Sequence, residues 1–95
     1  MVIQSGQSQE FVYVGSQIPN DVYIENLDTE RDAYYKVESG PQSWQLFGLV
    51  PPGQRIIITV DWPTRKAIIS NIGPENTPID VYGPDLYPWS QDDKE

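Results

Sequence analysis

Residues 55–62 read RIIITVDW and alternate strictly, with Ile56, Ile58, Val60 and Trp62 on one side and Ile57, Thr59 and Asp61 on the other. Side chains of an extended strand point to opposite faces with period two, so the stretch fits a strand and not a helix with one apolar stripe. Its β-branched residues suit the same conformation, because their restricted χ1 packs well on a pleated surface.

Shorter runs of similar character occupy residues 11–14, 22–26, 33–38, 44–50, 66–71 and 78–83. Between them fall most of the 9 prolines and 7 glycines, the residues that terminate regular elements and supply turns. No window carries a 3.6-residue apolar stripe. The expected fold is therefore all-β, a small antiparallel sandwich of six to seven short strands. At 95 residues the chain makes one domain, and a chain of that size buries about 60–70% of its unfolded surface. The expected organisation is a flexible N-terminal arm over 1–9, a β-sandwich over 10–83, and a Pro/aromatic segment with an acidic tail over 84–95. Gly48 inside its run suggests a bulge. The Pro51-Pro52-Gly53 loop leading into the strong strand at 55–62 is similar to the layout of many immunoglobulin-like sandwiches. That resemblance implies a fold plan and carries no functional residue.

The runs at 22–26 and 33–38 read as a hairpin. Placing Ile24 opposite Tyr35 also sets Val22 against Val37 on one apolar face, and Tyr23 against Lys36 and Glu25 against Tyr34 on the other. IENLDTE at 24–30 is echoed by ISNIGPE at 69–75, a spacing of 69 − 24 = 45 residues. Ile24/Ile69, Asn26/Asn71, Leu27/Ile72 and Glu30/Glu75 stay in register, and Tyr35-Lys36-Val37 answers Ile79-Asp80-Val81. Gly40-Pro41 then answers Gly83-Pro84, and Trp44 answers Trp89. This suggests an internal repeat packed with pseudo-twofold symmetry, in which isoleucine points inward and asparagine forms the turn.

Cysteine and histidine are both absent. Their loss removes disulfides, the usual zinc ligands, and the Ser-His and Cys-His dyads. Asp28, Glu30 and Asp32 alternate as calcium-binding carboxylates do, but Ala33 and Ser39 stand where such a loop needs glycine and a bidentate glutamate. Asp61, between Val60 and Trp62, is the one carboxylate in an apolar setting, and a chain this short leaves little material for a catalytic cleft. The expectation is a non-enzyme with no cofactor and no metal.

Fourteen acids against six bases give a formal charge of −8. Such a chain is repelled by phosphate backbones and anionic lipid, so neither nucleic acid nor membrane is an expected partner. The N-terminal residues have no basic region followed by an apolar run, which points to the cytoplasm, with secretion left open for a mature form.

The remaining candidates are aromatic. Tyr23 and Tyr34, with Glu25 and Lys36 beside them, would share the outer face of the hairpin. There, flat rings flanked by charges suit a sugar. Tyr82, Tyr87 and Trp89 alternate with prolines in YGPDLYPW, which either covers a sheet edge or docks on another chain. Three functions follow in order. The first is a protein-interaction module that self-associates into a homo-oligomer or binds another protein. The second is a small carbohydrate-binding protein. The third is an acidic inhibitor or immunity-type protein that occupies a basic partner.

Overall fold

The computed structural model describes residues 1–13, 20–39, 44–60, 66–84 and 86–88. They form nine strands: β1 (Val2–Ile3), β2 (Ser8–Tyr13), β3 (Asn20–Asn26), β4 (Ala33–Ser39), β5 (Trp44–Val50), β6 (Arg55–Val60), β7 (Lys66–Gly73), β8 (Ile79–Tyr82) and β9 (Leu86–Pro88). Two antiparallel sheets pack face to face, one ordered β1-β8-β3-β6 and the other β5-β4-β7-β2-β9. The core between them is made of the inward phase of each strand, including Phe11, Val22, Ile24, Val37, Ile69, Ile79 and Val81.

Two of the nine strands lie outside residues 10–83, where the sandwich was expected. Val2–Ile3, in the expected arm, pairs with β8 and buries Ile3 against the core. An apolar residue that reaches the interior gives the segment a reason to order, and a flexible arm has none. Leu86–Pro88, in the C-terminal segment, pairs with β2 and buries Leu86.

The expected hairpin of residues 22–38 does not form. β3 pairs with β6 and β8, whereas β4 pairs with β5 and β7 in the other sheet. The inward set was nonetheless read correctly, since Val22, Ile24, Tyr35 and Val37 are all buried. Alternation marks which side chains face the core and is silent on which sheet carries them. The six-residue connection at 27–32 crosses the sandwich instead of folding back.

Gly48 is not a bulge, because β4 and β5 run in continuous register. A Cβ at Gly48 would run into the Tyr35 hydroxyl and ring, so the glycine makes room for that buried ring. Burial pushes the Tyr35 phenol pKa above its ordinary value. The irregularity lies across the sheet in β7, where Ile72 is the extra residue between Asn71, opposite Tyr35, and Gly73, opposite Tyr34.

The echo between the halves has a structural counterpart. Exchanging β3 with β7, β4 with β8, β6 with β2 and β5 with β1 turns the order β1-β8-β3-β6 into β5-β4-β7-β2. Registers agree: Asn26 and Ile24 face Ile79 and Val81, as Asn71 and Ile69 face Tyr35 and Val37. The chain passes from the four-stranded to the five-stranded sheet after β3 and in the opposite direction after β7. Both crossings turn on an asparagine that is 1% exposed. Asn26 Oδ1 accepts the Asp28 N–H (2.9 Å), and its Nδ2 donates to the carbonyls of Arg31 (2.7 Å) and Val50 (3.0 Å). Asn71 Oδ1 accepts the Gly73 N–H (3.0 Å), and its Nδ2 donates to Thr77 (2.7 Å) and Ile3 (3.0 Å). These asparagines satisfy buried backbone groups that the crossing takes out of the ladders. One part of the expected repeat is replaced: β1, not the segment around Trp89, stands in the place of β5, and among the described residues β9 is an addition with no counterpart.

Candidate functional site

The crossing after β3 sends Tyr23 and Tyr34 to opposite sides of the molecule, so the expected tyrosine pair does not exist. Its members fall on two different outer faces.

On the four-stranded sheet the outer phase brings together Tyr23, Glu25, Arg55, Ile57, Asp80 and Tyr82. The rings of Tyr23 and Tyr82 lie 5.4 Å apart, tilted by 60°. Arg55 stands over the Tyr23 ring, Cζ to centroid 5.2 Å, and its Nη1 donates to the Tyr82 hydroxyl at 3.2 Å. That hydrogen bond is the largest cause holding the guanidinium pKa above its ordinary value. A ring capped by a guanidinium is a cation–π pair and offers a sugar little free face. Tyr82 was expected near the C-terminal aromatics and sits here with Tyr23. Arg55 was missed, although its outer-phase position beside Ile57 was readable from the strand alternation.

On the five-stranded sheet the outer phase carries Tyr34, Lys36 and Glu38 of β4, Phe47 and Leu49 of β5, Ile68 of β7, and Glu10 and Val12 of β2. Tyr87 of β9 lies opposite Val12. Tyr87 is 55% exposed and Phe47 is 60% exposed. Lys36 and Glu38 form an ion pair at 3.5 Å. The apolar residues of β5 were readable in principle, since WQLFGLV is apolar on both phases, and Leu46, Gly48 and Val50 lie on the inward one. Trp44's side chain, Asp61, Trp62 and Trp89 lie outside the described residues.

Beside Lys36 the bulge in β7 and the β1–β2 turn border an open cleft of about 620 Å³, lined among others by Ser5, Ser8, Lys36, Ser70, Ile72 and Glu75. Ser8 and Ser70 join hydroxyl to hydroxyl at 2.8 Å.

At the first crossing, Asp28 spends its carboxylate on the chain: Oδ2 accepts the N–H groups of Glu30 (3.2 Å) and Arg31 (2.7 Å). Among the described residues no three acidic side chains gather as a metal site, and no helix is long and apolar enough to cross a membrane. Compared with known proteins, the chain matches no family model, no curated protein and no solved structure.

Proposed function

We propose that the chain is a non-enzymatic interaction module that assembles with copies of itself through the outer face of the five-stranded sheet. The observation that carries this is the makeup of that face. Of the ten large exposed hydrophobic residues described, six lie on it: Tyr34, Phe47, Leu49, Ile68, Ile72 and Tyr87. Contiguous exposed apolar surface of this kind marks interaction sites. Among the described residues the outward charges of its strands cancel, Lys36 and Lys66 against Glu10 and Glu38 (2 − 2 = 0), in a chain of net charge −8. Two copies therefore meet here without the repulsion they feel elsewhere, and a basic partner gains nothing from this face. Sedimentation equilibrium tests the reading. The wild type is expected to associate, and Phe47→Lys to dissociate with an unchanged far-UV spectrum and melting temperature. A strictly monomeric wild type ends it.

The hydroxyl-lined cleft beside Tyr34 and Lys36 supports a second reading, carbohydrate binding, in which Ser8, Ser70 and Lys36 meet sugar hydroxyls. A glycan array without hits removes it. The third, an acidic protein occupying a basic partner, finds its support on the other sheet, where Asp21, Glu25 and Asp80 outnumber Arg55. Binding indifferent to salt speaks against it. Consecutive strands that change sheets, β3 to β4 and β7 to β8, favour an immunoglobulin-like plan for the scaffold.

A further inference from the structure

The two halves of the fold agree at one pair of corresponding edges and differ at the other. β5 and its counterpart β1 are both outermost strands. β2 and β6 also correspond, yet β2 is covered by β9, whereas β6, among the described residues, pairs with β3 alone. The difference reaches the core. Phe11 on the covered strand is 1% exposed, and Ile58, which holds the matching place on β6, is only half-buried.

The direction of the free backbone groups on β6 follows from the ladder. The Asn26 N–H donates to the Gln54 carbonyl at 2.9 Å. Antiparallel partners alternate between hydrogen-bonded and non-bonded pairs, so Ile24/Ile56 and Val22/Ile58 are bonded pairs. The N–H and C=O groups of Arg55, Ile57 and Thr59 then point away from β3. Between its ends β6 has no proline, lysine or bulge, the devices that blunt an exposed edge.

We infer that β6 pairs antiparallel with β6 of a second copy of this chain, about a twofold axis through Ile57. Registers that set outward residues opposite outward residues match donors to acceptors, and of these the one centred on Ile57 gives the most bonded pairs within β6. Centring on Ile57 gives three bonded pairs: Ile57 with its own counterpart, and Arg55 with Thr59 on each side. Ile56 meets Ile58 across the axis on the inner face, extending the half-covered core. The charges fit as well. Thr59 Oγ1 donates to Asp21 Oδ1 at 2.9 Å, so each Arg55 arrives beside the Thr59–Asp21 pair of the other copy. A shift that centres the axis on Arg55 instead sets two guanidinium groups side by side. The result is a continuous sheet of 4 + 4 = 8 strands. The contact is isologous and closes at a dimer, and it uses a different surface from the five-stranded face. An edge contact of this size falls below about 1,200 Å², in the range of weak association.

The test is amide exchange by NMR on Phe47→Lys, which disables the other face, diluted from about 1 mM to about 10 μM, the span a weak contact is expected to cross. The expected result is protection of the Arg55, Ile57 and Thr59 amides at high concentration, lost on dilution, with the neighbouring Ile56 and Ile58 unchanged. Ile57→Lys in that background should leave the three outward amides fast at every concentration. Should that variant unfold, Thr59→Lys, which opposes Arg55 across the axis, serves instead, and adding Arg55→Asp should restore the dimer. Protection of the outward amides that does not vary with concentration overturns the inference, whether they are slow through cover by the chain's own residues or fast through solvent. Failure here with association intact in wild-type protein leaves the five-stranded face standing, and a Phe47→Lys protein that still pairs through β6 supports the edge independently.

Discussion

At the corner after β3, Asn26 bridges the strand to the carbonyls of Arg31 and Val50, and the loop is finished locally by Asp28, whose carboxylate collects the N–H groups of Glu30 and Arg31. At the corner after β7, Asn71 makes the same three bonds, but the loop is finished from a distance. Ser5, in the β1–β2 turn, accepts the Thr77 N–H at 2.9 Å and donates to the Pro74 carbonyl at 2.8 Å, while the Thr77 hydroxyl also bonds to Pro74. A crossing between sheets strands a fixed set of backbone groups, and one asparagine answers the part of that set common to both corners. The remainder is answered by whatever is near: an acid in one loop, a docked turn in the other. The first loop closes on its own carboxylate, with the β5–β6 turn adding the Gly53 N–H to the Asp28 carbonyl at 2.8 Å, and the second depends on the N-terminal strand.

Removing the shared asparagine should separate the corners most strongly. All three bonds of Asn71 are buried, whereas those of Asn26 to Arg31 and Asp28 are partly open to water. Each buried polar group left without a partner costs about 1–3 kcal/mol. Urea unfolding should therefore show Asn71→Ala losing on the order of 4 kcal/mol and Asn26→Ala roughly half that, because water can replace part of the latter. Equal losses would mean that the two corners are solvated alike.

The halves also fill one matching pair of core sites differently. Tyr35 faces Gly48, and at the corresponding place Ile79 faces Ile3. One half uses a large residue against none, the other two of middle size. Gly48→Ala drives a methyl into the Tyr35 ring and should cost about 1–3 kcal/mol. In a Tyr35→Ile background the same change should be close to neutral, a coupling that a double-mutant cycle measures. If the costs simply add, the glycine is there for another reason.

Thr77→Val reads the second corner alone. The side chain is fully buried, and its hydroxyl bonds to the Pro74 carbonyl and lies 3.2 Å from Ser5 Oγ. The isosteric change removes those bonds for a loss of about 1–2 kcal/mol. It should also speed exchange of the Val81 amide, which β1 holds through the Met1 carbonyl at 2.9 Å. A loss of stability without faster exchange would show that the corner and the N-terminal strand are independent.

Much of this was readable and some of it was not, for identifiable reasons. Period-two alternation marks Val22, Ile24, Tyr35, Val37, Ile79 and Val81 as inward whichever strands pair, so the core was legible. The pairing was not: Ile24 and Tyr35 face inward equally well from one hairpin or from two facing sheets. The asparagines at 26 and 71 could be recognised as a recurring pair, yet a turn residue and a buried bridge look alike until the long-range carbonyls of Val50 and Ile3 are in place. Gly48 reads as a bulge in sequence because its reason, the Tyr35 ring, arrives from another strand. The outer faces were half legible. Tyr34 and Lys36 were chosen for the hairpin they would form with Tyr23 and Glu25, and the crossing parts them. Tyr82 joins Tyr23 instead, and Tyr87 comes to lie near Val12.

The smallest effect sharpens the first corner and has a pH signature. Partial desolvation pushes the Asp28 carboxyl up, but the N–H groups of Arg31 and Glu30 and the Arg31 guanidinium outweigh it and hold the pKa below its ordinary 3.8. A depressed carboxyl stabilises the fold above its unfolded pKa, and that contribution fades as pH falls through the folded value. Asp28→Ala should therefore lower the melting temperature at neutral pH, and the two proteins should converge as pH falls below the ordinary 3.8. Among the described residues the second corner has no carboxylate in its loop hydrogen bonds, so the deficit of Thr77→Val should persist over the same acid range. Because Arg31 is exposed, salt should shrink the Asp28 effect at neutral pH without abolishing it, since the backbone N–H bonds do not depend on the guanidinium. A deficit in Asp28→Ala that stays constant into acid would mean that the carboxylate's charge is irrelevant and that only the bulk of the side chain shapes the turn.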